Sequence, residues 1–441
     1  MLYGCGLYIC TLVLLVKQKY AGGYMRNLLL TSAVVAFSLQ AHAVKAPYKN
    51  NESLNREVIS NYSDLALLNY NDSLQGARAL KSEIAKFVKL AKKGSKLASK
   101  QYDIVKKTWS LEARMPYGQS EIFRFYNGPI DFEPIDDGVT TYLESINFEG
   151  VEGLMNAWPL DEIYIDYVKE DSTAGLVNNR NIKLTKDVLV SMNEREGEKN
   201  ISTGYHAIEF LLWGQDRSID TAGQRPYTDY VDGGTAKNQD RRREYLSLLI
   251  DLLDDHLSTV TNQWQVGEKN YRTEFLKRDS NSVLTDIFTS MISMAGDELK
   301  SERIENAFLL EDQEEEHSCF SDQTINDIYT NALGVKNIYF GDYVAHNSSK
   351  SINGKGINDL VAFVNPELDQ AITKKFDSLF NNINFFYKKS RNGQVQIGSI
   401  ETPFDRALTT NKVEIQNIID DLGSIDELLR EAASELGLEI E

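Results

Sequence analysis

Apolar residues recur at spacings of three and four along most of the chain beyond residue 50. That is the period of an α-helix with one buried face. Such stripes run through Leu54 to Tyr70 and Leu74 to Leu90, the second continuing through Ile84, Phe87, Val88 and Ala91. Lys96 to Trp109 follows. Arg241 to Trp264 carries Tyr245, Leu248, Leu249, Leu252, Leu253 and Leu257 on one face, and Leu284 to Phe308 is similar with Gly296 inside it. Ile325 to Ile338, Leu368 to Tyr387 and Val413 to Leu436 complete a helical second half. The 441 residues include 8 prolines, too few to break these stripes. The pattern predicts an all-α protein.

Three stretches depart from it. Met115 to Gly138 mixes Pro116, Gly118, Gly128, Pro129 and Pro134 with Phe123, Phe125, Tyr126 and Phe132, and Asn147 to Asp166 is similar. Long irregular segments rich in aromatics tend to pack over a site. Ser218 to Asn238, with Gly223, Pro226, Gly233 and Gly234, reads as a domain boundary. It separates an N-terminal helical domain, 44–220, from a C-terminal helical bundle, 221–441. The similar lengths point to an ancient duplication, although no residue-level repeat is evident.

Charge and the N-terminus narrow the setting. Hydrophobic residues make up 42% and charged residues 25%, as in ordinary globular proteins. The net charge of -18 argues against a nucleic-acid partner, which needs a basic surface. Met25-Arg26-Asn27, the apolar run Leu28 to Leu39 and the small-x-small site Ala41-His42-Ala43 read as a signal peptide over 25–43. Cleavage is expected after Ala43, which makes 1–24 an upstream extension that is not native. Its apolar run, Leu7 to Val16, is too short to span a bilayer. Cys5 and Cys10 would be lost and Cys319 would remain alone, so no internal disulfide is expected. No later segment is apolar enough to cross a membrane. These features place the chain outside the cytoplasm, in the bacterial periplasm, with outer-membrane association left open.

Two clusters carry candidate chemistry. In Gly204-Tyr205-His206-Ala207-Ile208-Glu209-Phe210-Leu211-Leu212-Trp213-Gly214, His206 and Glu209 are three apart and share a helical face. A carboxylate in such apolar company must be paired, hydrogen-bonded or metal-bound. Imidazole plus carboxylate is half of a metal site. The plainer reading is a polar contact between the two inside the core. Neither zinc-hydrolase helix pattern matches, because Phe210 follows Glu209. The second cluster is Asp312 to Asp322. There Glu314 and His317 stand in the Glu-x-x-His order of di-metal bundles, next to Cys319 and Asp322. A solvated acidic run is the plainer reading of Glu314 to Glu316. His256, after Asp254 and Asp255, reads as a surface residue, and His346 as solvated in a loop. Arg124 is placed to hold a buried carboxylate. Asp161 and Glu162 follow Trp158-Pro159, where helix capping explains them equally well. No nucleotide loop is present, and no Cys-x-x-Cys-His for covalent haem. Noncovalent haem through His206 or His317 stays open.

These residues resemble a known family. Gly204-x-His206-x-x-Glu209, running on into Phe-Leu-Leu-Trp-Gly, is similar to the imelysin signature. Imelysins are exported bacterial proteins named for an insulin-cleaving outer-membrane peptidase. Ser110 to Pro129, Asn156-Ala-Trp-Pro-Leu-Asp-Glu162 and Glu316-His-Ser-Cys-Phe-Ser-Asp322 resemble its iron-regulated protein A branch, and the likeness runs from about residue 55 onward. The resemblance implies two helical bundles, a site near the signature between them, and a role in bacterial iron uptake. Members are catalogued as metallopeptidases, while peptidase activity is not general among them.

The expected site holds an iron or zinc ion, divalent or ferric, or a metal-containing ligand. His206 and Glu209 serve as ligands from one half, and Glu314, His317 or Asp322 from the other. Arg124, Asp161, Trp158 and Tyr205 support them. The expected protein partner is one of the outer membrane or of iron uptake. The competing readings are a zinc metallopeptidase with Glu209 as base, and an interaction module in which the His–Glu pair is structural. If His206 and His317 stood more than about 12 Å apart they could not share one metal, since ligand bonds are near 2 Å.

Overall fold

The computed structural model describes residues 51–124, 152–267 and 269–440. The signal peptide, the upstream extension and the irregular stretch 125–151 lie outside the described residues. Everything described belongs to one compact unit, Pro47–Glu441. Its α-helices of ten residues or more are α1 (Glu52–Lys92), α2 (Leu97–Thr108), α3 (Gly204–Trp213), α4 (Gln239–Gln263), α5 (Ser280–Ile292), α6 (Thr324–Phe340), α7 (Pro366–Ile383) and α8 (Lys412–Glu435). The strands among the described residues form two short antiparallel hairpins, Asp342–Val344 with Ser351–Asn353 and Tyr387–Lys389 with Val395–Ile400. The all-α expectation holds. No helix among the described residues is long and apolar enough to cross a membrane.

The first two stripes are one continuous helix of 41 residues. Asn51 caps it, its Oδ1 accepting the Leu54 N–H at 3.3 Å. The polar residues between the stripes turn inward instead of breaking it. Asp72 is fully buried and accepts from the Tyr343 hydroxyl at 2.7 Å and the His346 and Asn347 N–H groups at 2.6 and 2.7 Å. That carboxylate seats the loop after the first strand, and His346 itself is exposed. Gly76 lets another segment cross α1 closely, since a Cβ there would lie 1.9 Å from the Glu112 carbonyl oxygen.

The crossing segment is π-helical, Trp109–Arg114, and continues α2 into a short helix, Met115–Ser120. A second π-helical run, Ser293–Glu305, lies inside the predicted stripe from Leu284 to Phe308. The stripe from Leu368 ends as a helix at Ile383, because Tyr387 opens a strand and sends its hydroxyl to Asn326 Oδ1 at 2.8 Å. Helix α1 packs along α4, and α7 along α8.

Buried charge ties the loops to this frame. Asp166 receives Arg242 through Nε at 2.6 Å and Nη2 at 2.9 Å, and Arg225 through Nη1 at 2.7 Å. Burial opposes its ionisation, but the two guanidiniums win and hold its pKa below the usual value. The irregular segment around 158–178 is thereby fixed to α4.

His256 is buried, not at the surface as expected. The helical period places it beside Leu257 and one turn from Leu252 and Leu253, on the packed face of α4. Its Nδ1 has no partner among the described residues, and burial pushes its pKa down to about 4. Above pH ~6.5 it is neutral folded and unfolded alike. Between there and about 4 the unfolded chain takes up a proton that the fold refuses, so stability is lost as pH falls through this window. Urea titrations from pH 7.5 to 4.5 should show a steeper loss for the native sequence than for His256→Leu. Parallel profiles would contradict this account of His256.

Candidate metal-binding site

Helix α3 carries the His206–Glu209 pair, and all ten of its residues are buried. A helix apolar on every side belongs in the core. Its end carbonyls are satisfied there. The Tyr230 and Tyr102 hydroxyls donate to the Leu211 and Leu212 carbonyls at 2.5 Å each, and the Arg225 N–H to that of Trp213 at 2.8 Å. Gly204 opens the helix at φ +88°, and a Cβ there would lie 2.4 Å from the Met155 carbonyl oxygen. The first residue of the signature is therefore glycine for two reasons, a left-handed backbone and a close approach.

His206 and Glu209 meet as the spacing predicts. Nδ1 of His206 lies 2.9 Å from Oε2 of Glu209. The other oxygen, Oε1, accepts the Ser321 N–H at 3.0 Å and its hydroxyl at 2.6 Å. Burial pushes the Glu209 carboxyl up to about 8, against the Ser321 hydrogen bond. Burial also holds His206 well below the usual histidine value, helped by the positive field of His317 and Arg114. The imidazole is thus neutral. When Glu209 is ionised, Nδ1–H donates to it and the lone pair sits on Nε2. That Nε2 is buried and has no hydrogen-bond partner among the described residues.

His317 comes to the same place from the other end of the chain. The two imidazole centroids are 4.9 Å apart, their planes at 68°. The 12 Å limit for sharing one metal is met with room to spare. His317 repeats the arrangement of His206, because its Nδ1 lies 3.0 Å from Oδ2 of Asp327 on α6. Ser318 donates to that oxygen at 2.6 Å. Arg114 donates to the same carboxylate, Nε to Oδ1 at 2.9 Å and Nη2 to Oδ2 at 3.2 Å; its Nη2 also stands 3.3 Å from His317 Nδ1, to which it does not donate while that nitrogen gives its proton to Asp327. Its Nη1 donates to Asn156 at 2.5 Å. A histidine that gives Nδ1–H to a carboxylate presents Nε2 as a metal ligand, the usual pairing in metal sites.

The supporting residues sort as follows. The Trp158 ring stands 4.9 Å from His206 and 5.7 Å from Phe320, beside the imidazole. Tyr205 lies one layer back, under the Arg114 guanidinium at 5.4 Å. Asp161 caps the short helix Glu162–Ile165, accepting the Ile163 N–H at 3.2 Å, the plainer role its setting allowed. The side chain of Arg124 lies outside the described residues. At this site Arg114 holds the buried carboxylate of Asp327. Glu314 does not share a helical face with His317. It sits exposed in a 3-10 turn, Gln313–Glu315, and the chain straightens at Glu316 before reaching the histidine. Asp322 itself is left-handed, φ +56°, and one of its carboxylate oxygens lies within 4.8 Å of Asp216 and Asp405.

Asp327 and Arg114 are the residues the sequence did not reveal. Asp327 lies in the first turn of α6, where an acid is ordinarily explained by the helix dipole. Arg114 lies in a π-helical turn, whose register departs from the 3.6-residue period. Among the described residues, three donor atoms within 4.8 Å of one another occur at Asp216, Asp322 and Asp405, and not at the imidazole pair. The pair therefore suits an ion that brings further ligands, such as water or a chelator, better than a closed four-residue cage.

Gly204→Ala should cost at least about 1 kcal/mol, from the positive φ and the Met155 contact. Chemical denaturation measures it, and a loss below the error of the fit would contradict the packing argument.

Comparison with known proteins agrees with this architecture. The imelysin family model matches residues 66–429. No curated protein gives a significant match. The crystal structure of a candidate iron-regulated protein A precursor from Parabacteroides distasonis superposes with a TM-score of 0.60 at 19% identity, covering 89% of this chain and 97% of the other. That of an imelysin-like protein from Psychrobacter arcticum gives 0.59 at 13%, covering 90% and 99%. At such identities the solved structures speak for the fold, whereas the family match spans most of the sequence: the chain belongs to the imelysin family.

Proposed function

We propose that this chain is an exported binding protein of bacterial iron acquisition that holds a metal ion, or a ligand containing one, at His206 and His317. One observation carries the reading: the buried, partnerless Nε2 of His206, 4.9 Å ring to ring from a second imidazole oriented in the same way. A buried nitrogen without a partner costs roughly 1–3 kcal/mol, a cost that a bound ligand removes. The iron connection draws on the family and on the description of the Parabacteroides relative. Export draws on the signal-like 25–43.

Each residue has a defined task. Glu209 fixes the His206 tautomer and ring, and Ser321 fixes Glu209. Asp327 and Arg114 do the same for His317. Trp158 and Phe320 keep bulk water from the face of His206. The metal would supply a Lewis-acid centre that recognises its remaining ligands. A peptidase would need Glu209 as a base on water, yet both its oxygens are engaged and its carboxyl is fully buried. That favours holding over hydrolysis. Docking to an outer-membrane or iron-uptake protein completes the proposal.

The protein from residue 44 should bind Fe²⁺, Fe³⁺, Zn²⁺ or haem with one-to-one stoichiometry. His206→Ala should weaken this at least tenfold and Glu209→Ala measurably, with no digestion of casein or insulin by any sample. Calorimetry and metal analysis read the result. Absence of binding by any of the four to folded protein would end the metal reading, and zinc-dependent digestion lost in Glu209→Ala would replace it with the peptidase.

A further inference from the structure

The signature helix ends next to a second group of acids. Asp216 lies two residues beyond Gly214, which closes α3 at φ +69°. Asp322 follows Ser321, the residue that holds Glu209. Asp405 stands in the first turn of the short helix Phe404–Thr410. One carboxylate oxygen from each lies within 4.8 Å of the others, although the residues are far apart in sequence. Asp216 and Asp405 are 5% and 4% exposed.

The group lacks the compensation seen elsewhere. Asp166 has two guanidiniums, and Asp327 has Arg114. Asp405 receives the Arg406 backbone N–H at 2.7 Å, but the Arg406 guanidinium turns to Asp220, at 2.8 Å through Nε. Asp216 also follows a helix C-terminus, where the dipole adds negative potential. Two buried oxygens point to a missing ligand. Among the described residues, Oδ2 of Asp405 has no partner. Nor has Oε1 of Glu316, a residue 1% exposed whose pKa is raised by burial and then by the charges of Asp405, Asp322 and Asp216.

We propose that Asp216, Asp322 and Asp405 form a second cation site, separate from the imidazole pair, that takes one hard divalent cation of the calcium class. Three oxygens within 4.8 Å of one another share a centre at most about 2.8 Å from each, near the roughly 2.3–2.6 Å of calcium–oxygen bonds. An all-carboxylate set favours such ions over zinc or ferrous iron, which prefer nitrogen or sulfur. The bound ion fastens three segments: the exit of α3, the turn Cys319–Ser321 that supports Glu209, and the helix Phe404–Thr410. It acts as a staple on the signature region and takes no part in holding the ligand of His206. Without a cation, the carboxyls must share protons. Burial first, and like charges for Asp322 and Asp405, push Asp216 up to about 6, Asp405 to about 7 and Asp322 to about 8.

The test is calorimetric titration at pH 8 with CaCl₂, MnCl₂ and MgCl₂, on the native sequence, Asp322→Asn, Asp405→Asn and His206→Ala, with melting curves beside it. One site is expected on the native protein, with a higher melting temperature in calcium. Affinity should fall at least tenfold in either asparagine variant and stay unchanged in His206→Ala, which separates this site from the imidazole pair. Removing one buried charge relieves repulsion, so the asparagine variants should melt no lower than the cation-free native protein. If one of them does not fold, the other and the native titration still decide. A folded native protein that binds none of the three ions overturns the proposal and leaves shared protons as the explanation. So does binding indifferent to both asparagine substitutions.

Discussion

A fully buried guanidinium organises this molecule. Arg114 has no water to solvate it, and an unmatched ion there would cost several kcal/mol. It is matched by Asp327, by Asn156, and by the rings of Tyr117 and Tyr205 at 5.6 and 5.4 Å. Burial works against its charge, and Asp327 and Glu121 more than offset it. Because those partners come from distant parts of the chain, satisfying one ion fixes the π-helical turn, the segment before Trp158, the 317–318 loop and α6 together. His317 is carried to His206 as part of that fixed group.

The two acidic regions beside α3 show how charge balance decides what a cluster can do. Around the imidazoles, Arg114 and Arg303 answer Asp327, Glu121 and Glu298, with Arg303 2.8 Å from Glu121. The carboxylates there are occupied in orienting rings, and Nε2 of His206 is what remains to bind among the described residues. At Asp216, Asp322 and Asp405 no such answer is built in among the described residues, and oxygens are what remain. Ser321 and Asp322 are neighbours in sequence, one serving each region.

Most of the fold was legible because helical stripes of this length have few other uses. Helix α4 matches its predicted span to within two residues, and α8 to within one. The His206–Glu209 contact was legible for the same reason, since i and i+3 on a helix must meet. What escaped did so on physical grounds. Glu314 and His317 share a spacing but not a helix, and an exposed acidic run has no apolar face to fold against. His256 was misread because its acidic neighbours conceal that it lies on the stripe itself. Asp322 was grouped with His317 by sequence proximity, but its backbone is left-handed and its carboxylate stands with Asp216 and Asp405. The spacing located the pair and the likeness to imelysins named the signature, whereas the role of its glycine became clear only from the Met155 carbonyl that approaches it.

The central claim is that Nε2 of His206 is a ligand nitrogen. Anomalous diffraction from crystals of the protein grown with Zn²⁺ or Fe²⁺, recorded on both sides of the metal edge, addresses it directly. The account predicts a peak about 2 Å from Nε2 of His206, on the side facing His317. Peaks found elsewhere alone, with Nε2 hydrogen-bonded to protein or to an ordered water, would contradict it and leave the His–Glu pair a structural contact of the core.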